Sequence, residues 1–152
     1  EGQYHAFYTR ILSNSGVSAD ICTRQQHDGI TWTKDIANPV ITPMTELYEK
    51  LDWRDPYVFY NEEDENYWIL ISARRLDMPV TRRGCIVLYR SKNLKDWTYY
   101  GPIYSPGHTN WSGMSGNVQD GRSLVFVLLK IFRVCKYNIP CIRVSFWSVE
   151  KT

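Results

Sequence analysis

Four stretches of the chain are dense in aromatic and β-branched residues and bounded by polar turns: "QYHAFYT" (3–9), "PYVFYN" (56–61), "YWILISA" (67–73) and "CIVLYRS" (85–91). Runs of this length and composition predict strands. "SNSG" (13–16), "HDG" (27–29), "EEDEN" (62–66) and "RRG" (82–84) separate them as turns. No segment before residue 110 sustains a 3.6-residue period, so helices are not expected there.

The pattern also repeats. "QYHAFYTR" is followed by "HDGITWTK", and "NYWILISAR" is followed by "SKNLKDWTYYG". Tyr4 to Trp32 spans 28 residues and Tyr67 to Trp97 spans 30. Each unit reads strand, connection, strand, polar turn, Trp and a last short strand. A single four-stranded sheet cannot bury both of its faces, so such units stack. Stacked four-stranded sheets around an axis form a β-propeller. An antiparallel sandwich with two similar hairpins is the other arrangement this spacing allows. The expected fold class is all-β. The expected units are residues 1–45 and 46–106, within a partial propeller over 1–110.

Composition narrows the classes of function. The 152 residues suffice for one ordinary domain, and 43% hydrophobic with 22% charged content describes a globular chain. A net charge of only +2 gives no reason to expect a nucleic-acid partner. The longest apolar run, Leu124 to Leu129, is too short to span a bilayer, so no membrane partner is expected. No basic start followed by an apolar run is seen in the chain, which tips the expected location toward the cytoplasm. Aromatics reach 14%, with 11 Tyr and 6 Trp; besides filling β cores, they offer flat platforms for sugar rings.

Cys22, Cys85, Cys135 and Cys141 form no CxxC pair, so neither a metal site nor a disulfide framework is expected. Cys22 and Cys85 fall in strand-like runs and read as small buried hydrophobes. His5, His27 and His108 are scattered and read as structural or solvated. Asp28 and Asp96, just before the repeat tryptophans, read as turn formers of the Asx kind. Arg74, Arg75, Arg82 and Arg83 flank one long connection and read as its solvated basic rim.

The candidate chemistry lies in "DWRDPYVF" (52–59). Pro56 has no N–H to give a ladder and belongs at a strand's first residue. That places Arg54 and Asp55 at the mouth of a strand. In a propeller the mouths of the innermost strands converge on the central funnel, where charges can meet a polar ligand. A local salt bridge or capped turn would use the same tripeptide.

"DWRDPYVFYNEEDENYWILISAR", with "DGITWTKDIANPVI" before it and "SKNLKDWTYYGPIY" after it, resembles glycoside hydrolase family 32. These are the invertase-like β-fructosidases, whose catalytic domain is a five-bladed β-propeller. The resemblance covers about residues 2–109 and implies a fragment of about two blades. It implies that Asp55 is the transition-state stabiliser and that Arg54 supports it on the fructosyl hydroxyls. Trp53 is a candidate to stack on substrate or to fill the core. The implied partner is a sugar, sucrose or a fructan, and no cofactor is implied. Family 43, which cleaves arabinose or xylose linkages, is the nearest enzymatic alternative. A non-catalytic sugar-binding or structural propeller remnant is the other.

The family's nucleophile motif, Asn-Asp-Pro-Asn, is absent from the sequence and is expected upstream of Glu1. The acid/base motif, Glu-Cys-Pro, is expected soon after "YSPGHTN" (104–110), but the chain reads "WSGMSGNVQDG" there. The tail also changes in charge: 12 basic and 14 acidic residues over 1–110 give way to 6 and 2 over 111–152. Both shifts fit a reading-frame slip near Asn110. Dropping the first base of the Trp111 codon allows "WSGMSGNVQDG" to encode "GRECPEMFKMG", which contains the expected motif. The Met114 codon then yields Cys before any TCN serine codon. With one of three catalytic carboxylates present, the chain alone is expected to hydrolyse no fructoside.

Overall fold

The computed structural model describes residues 4–12, 18–26, 28 and 30–105. Among the described residues, seven strands form two antiparallel sheets. The first sheet has the order β1 (Tyr4–Leu12), β2 (Ser18–Gln26), β3 (Thr33–Lys34). The second has the order β4 (Arg54–Asn61), β5 (Asn66–Arg74), β6 (Gly84–Ser91), β7 (Thr98–Tyr104). A single 3-10 turn, Val80–Arg82, interrupts the β5–β6 connection.

Every neighbour in the second sheet is its neighbour in sequence, a meander with polar turns between β4 and β5 and between β6 and β7 and a longer connection between β5 and β6. At Asn61–Asn66 the Asp64 carboxylate accepts the Asn66 N–H at 3.2 Å and the Trp68 Nε1–H at 2.9 Å. At 91–98 the turn former is Asn93, whose Oδ1 accepts the Lys95 and Asp96 N–H groups at 3.0 and 2.9 Å. Asp96 itself is not the Asx residue there; it accepts from Asn93 Nδ2 at 2.7 Å. Asp28 is one: its Oδ1 accepts the N–H groups of Ile30 and Thr31 at 2.9 and 2.7 Å.

The near-continuous apolar runs of β5 and β6 are explained by burial on both faces. Alternate residues Ile69, Ile71, Ala73, Cys85, Val87 and Tyr89 point into one core. Leu70, Ile86 and Leu88 point into a second core with Phe59. The first core is shared between the sheets, since Phe7 and Ile21 from β1 and β2 belong to it. Phe7 meets Trp97 edge-on, with ring centroids 5.7 Å apart, a favoured aromatic geometry. The second repeat tryptophan thus fixes one sheet against the other. Cys22 and Cys85 are fully buried thiols that form no disulfide, and burial pushes the Cys85 thiol up to about 12.

The repeated sequence pattern follows the order of the strands. β1, β2 and β3 stand where β5, β6 and β7 stand, and β4 is the additional strand before the second set. Residues 111–152, including Cys135 and Cys141, lie outside the described residues, as do His27 and His108.

Candidate active site at the mouth of β4

The β4–β5 ladder pairs Arg54 with Ser72 and then Tyr57 with Leu70. Three steps on β4 face two on β5, so Asp55 and Pro56 form a bulge. The strand begins at Arg54 rather than at Pro56, and the proline sits in the bulge, where no ladder N–H is needed. Asp55 adopts φ 58°, a left-handed conformation that aspartate tolerates better than most residues. Its N–H, turned off the ladder, donates to Thr9 Oγ1 of β1 at 3.1 Å. The inter-sheet seam therefore runs directly past Asp55.

The Asp55 carboxyl is largely enclosed, and Oδ2 is buried without a hydrogen-bond partner. Burial raises its pKa, and the charge of Arg54 only partly offsets that. Desolvation outweighs the Arg54 charge. The reason is geometric. The Arg54 guanidinium donates to Asp52 Oδ1 instead. Asp52 Oδ2 also lies 3.4 Å from Arg74 Nε, which donates to Glu49 Oε2 at 3.0 Å. Glu49 Oε1 accepts from Arg83 Nη1 at 2.7 Å. Three arginines and two acids thus form one chain of pairs along the mouth.

Glu49 shows how strong that chain is. Burial works to raise its pKa, yet hydrogen bonds from Arg83 and Arg74 overcome it and hold the carboxyl below the ordinary range. The expected solvated rim of arginines is corrected accordingly. Arg74 and Arg83 turn inward to Glu49, and Arg75 pairs with Asp77 at 2.5 Å, leaving Arg82 as the exposed member. The backbone adds ties, with Leu76 N–H donating to Leu47 O and Glu49 N–H to Arg74 O, each at 2.9 Å.

Trp53 does not present a face to substrate. It is 0% exposed, packed between Tyr48 and Tyr89 at centroid distances of 5.3 and 6.1 Å. Trp53 immediately precedes β4 and turns into the core, while Asp52 and Arg54 on either side of it pair with each other. Its stacking role is therefore replaced by a core role. Asp52, Glu49 and Thr9 are mouth residues that the sequence reading passed over. Asp52 stands two residues before Arg54, in the bend that leads into β4, and pairs with it there. Nothing local marked Thr9, 46 residues away. Among the described residues no group of His, Cys, Asp and Glu could hold a metal ion, and no helix is long and apolar enough to cross a membrane.

Two stacked antiparallel sheets, of three and four strands, make a fragment of a β-propeller. The sequence matches the glycosyl hydrolases family 32 N-terminal domain over residues 1–117, and the chain belongs to that family. The match favours family 32 over the family 43 alternative. An extracellular exo-inulinase of Aspergillus awamori is 36% identical over 86 residues, covering 53% of this chain and 15% of that enzyme. A levanase of Bacillus subtilis is 41% identical over 71 residues, covering 47% of this chain and 9% of that protein. Among solved structures, a family 32 β-fructofuranosidase of Bombyx mori aligns with a TM-score of 0.53 at 18% identity, covering 72% of this chain and 22% of that one. The exo-inulinase of Aspergillus awamori aligns with a TM-score of 0.51 at 25% identity, over 67% of this chain and 21% of that one. The chain spans about 15% of the length of the exo-inulinase it matches.

Proposed function

We propose that the protein containing this chain hydrolyses β-fructosides, sucrose or fructans, with retention, and that Asp55 is its transition-state stabiliser. The supporting observation is the Asp55 carboxyl: enclosed at the mouth of β4, with Oδ2 lacking any protein partner. A buried oxygen without a partner is costly unless a ligand supplies the donor. Sugar hydroxyls are such donors. Cleaving a fructosidic bond builds positive charge on the sugar ring, so a fixed carboxylate gripping its hydroxyls binds the transition state more tightly than the ground state.

Arg54, held by Asp52, offers its remaining N–H groups to the same sugar. Retaining hydrolysis needs two further carboxyl groups about 5 Å apart, a nucleophile and an acid/base. We assign both to parts of the protein outside residues 4–105. The matched relatives named as exo-inulinase and levanase and the aligned β-fructofuranosidase make β-fructosides the favoured substrate class.

The test is made in the full-length protein. Asp55→Asn should lower kcat on sucrose or inulin by about a hundred- to a thousandfold, as for other single groups that stabilise developing charge. A variant that keeps wild-type kcat would overturn the assignment of Asp55.

A further inference from the structure

We infer that Thr9 is a positioning residue for Asp55: its Oγ1 on the first sheet accepts the Asp55 N–H and so fixes the left-handed bulge that aims the carboxyl at its ligand. The inference rests on the reading of Asp55 as the sugar-facing group. It adds that the site is built by two sheets and not by β4 alone.

Four features converge on it. Asp55 is one of three non-glycine residues with positive φ among those described, and the other two, Glu65 and Leu94, sit in connecting turns. A left-handed aspartate inside a strand is held only where its surroundings over-determine it. The bulge removes the Asp55 N–H from the β4–β5 ladder, and Pro56 has no N–H to substitute. The displaced N–H would be an orphan donor in the seam between the sheets. Thr9 Oγ1, 3.1 Å away and 46 residues distant in sequence, satisfies it.

Thr9 is suited to this by its place on β1. It lies two residues from Phe7, on the same side of the strand, and Phe7 packs edge-on against Trp97, the residue just before β7 of the second sheet. The hydroxyl is thereby delivered by a strand already clamped to the second sheet. A β-branched side chain has few rotamers, so the oxygen is held in place as well as provided. With the backbone pinned on one side, the carboxyl has little freedom to turn, and its Oδ2 stays buried without a partner.

The test uses the full chain, with Thr9→Val to remove the acceptor and Thr9→Ser to keep it. In the unsubstituted chain, NMR should show a nuclear Overhauser contact between the Asp55 amide proton and the Thr9 side chain. Its absence overturns the inference and needs no variant, so it also decides if Thr9→Val fails to fold. In Thr9→Val the Asp55 amide should exchange faster and the Asp55 Cγ signal should move, while Thr9→Ser leaves both in place. Fructose affinity should fall about two- to tenfold in Thr9→Val, the range for one lost hydrogen bond, and recover in Thr9→Ser. A Thr9→Val chain that melts earlier but keeps its Cγ signal and fructose affinity shows a merely structural threonine and overturns the inference. If the unsubstituted chain binds no fructose, the β-fructoside reading fails instead. The Thr9 inference is then decided by the Cγ signal: moved in valine and restored in serine supports it, unmoved overturns it.

Discussion

At Asp55 the fold accepts an energetic cost in order to hold a carboxyl ready. Left-handed backbone at a non-glycine residue costs on the order of 1 kcal/mol, and an enclosed carboxylate oxygen without a partner adds to it. The pKa direction makes this measurable. Burial raises the folded-state pKa above the ordinary value, while the unfolded chain keeps that value. The folded state therefore favours the protonated form. The group's contribution to stability is fully present below the unfolded pKa and is lost as pH rises through the folded one. Asp55→Asn should remove that penalty. We expect it to raise stability at pH 7 by about 1 kcal/mol in urea unfolding, as asparagine also tolerates left-handed backbone. A fall in stability would show that a partner satisfies the carboxylate after all. The Arg-Asp pair was legible in the sequence because Pro56 lies near a strand start, although the strand begins two residues earlier, at Arg54. The fate of Trp53 was not, because stacking on sugar and packing in a core call for the same residue type.

At the scale of elements, the β5–β6 connection and the segment before β4 are held together by one carboxylate. Glu49 accepts from both Arg74 and Arg83, and Arg74 continues the chain of pairs to Asp52 and so to Arg54. Breaking one member of a partly buried ionic network leaves its partners uncompensated. Glu49→Gln is expected to cost about 1–3 kcal/mol at neutral pH, read by urea unfolding. Its pH dependence has the opposite sign to that of Asp55. The Glu49 pKa is lowered, so its stabilisation is present above the unfolded value of 4.5 and lost as pH falls through the folded one. Glu49→Gln should therefore flatten the acid limb of the stability curve; an unchanged limb would contradict the network. Four of the seven described strands, β1, β4, β5 and β6, were readable from their aromatic and β-branched runs, to within a few residues at each end. The inward turn of Arg74 and Arg83 was not, since an arginine-rich connection looks the same whether its partner is water or a glutamate 25 or 34 residues away.

For the molecule as a whole, the repeat was the most informative feature of the sequence. Tryptophans at matching places in two units correspond to two sheets that share one core through Phe7, Ile21 and Trp97. What single-sequence pattern could not supply was the contact between units, because Thr9 and Asp55 meet only once both sheets are stacked. The change of character after residue 110 lies outside the described residues, and the family match reaches residue 117. The coding DNA tests the frame-slip expectation there: reading from the second base of the Trp111 codon should give Glu-Cys-Pro, and its absence would remove the idea. The central claim, a sugar site at Asp55, is tested most directly by calorimetric titration of the chain with fructose and arabinose. Binding that prefers fructose and vanishes in Asp55→Asn is the predicted result. No heat with either sugar, or fructose binding that survives Asp55→Asn, would contradict it.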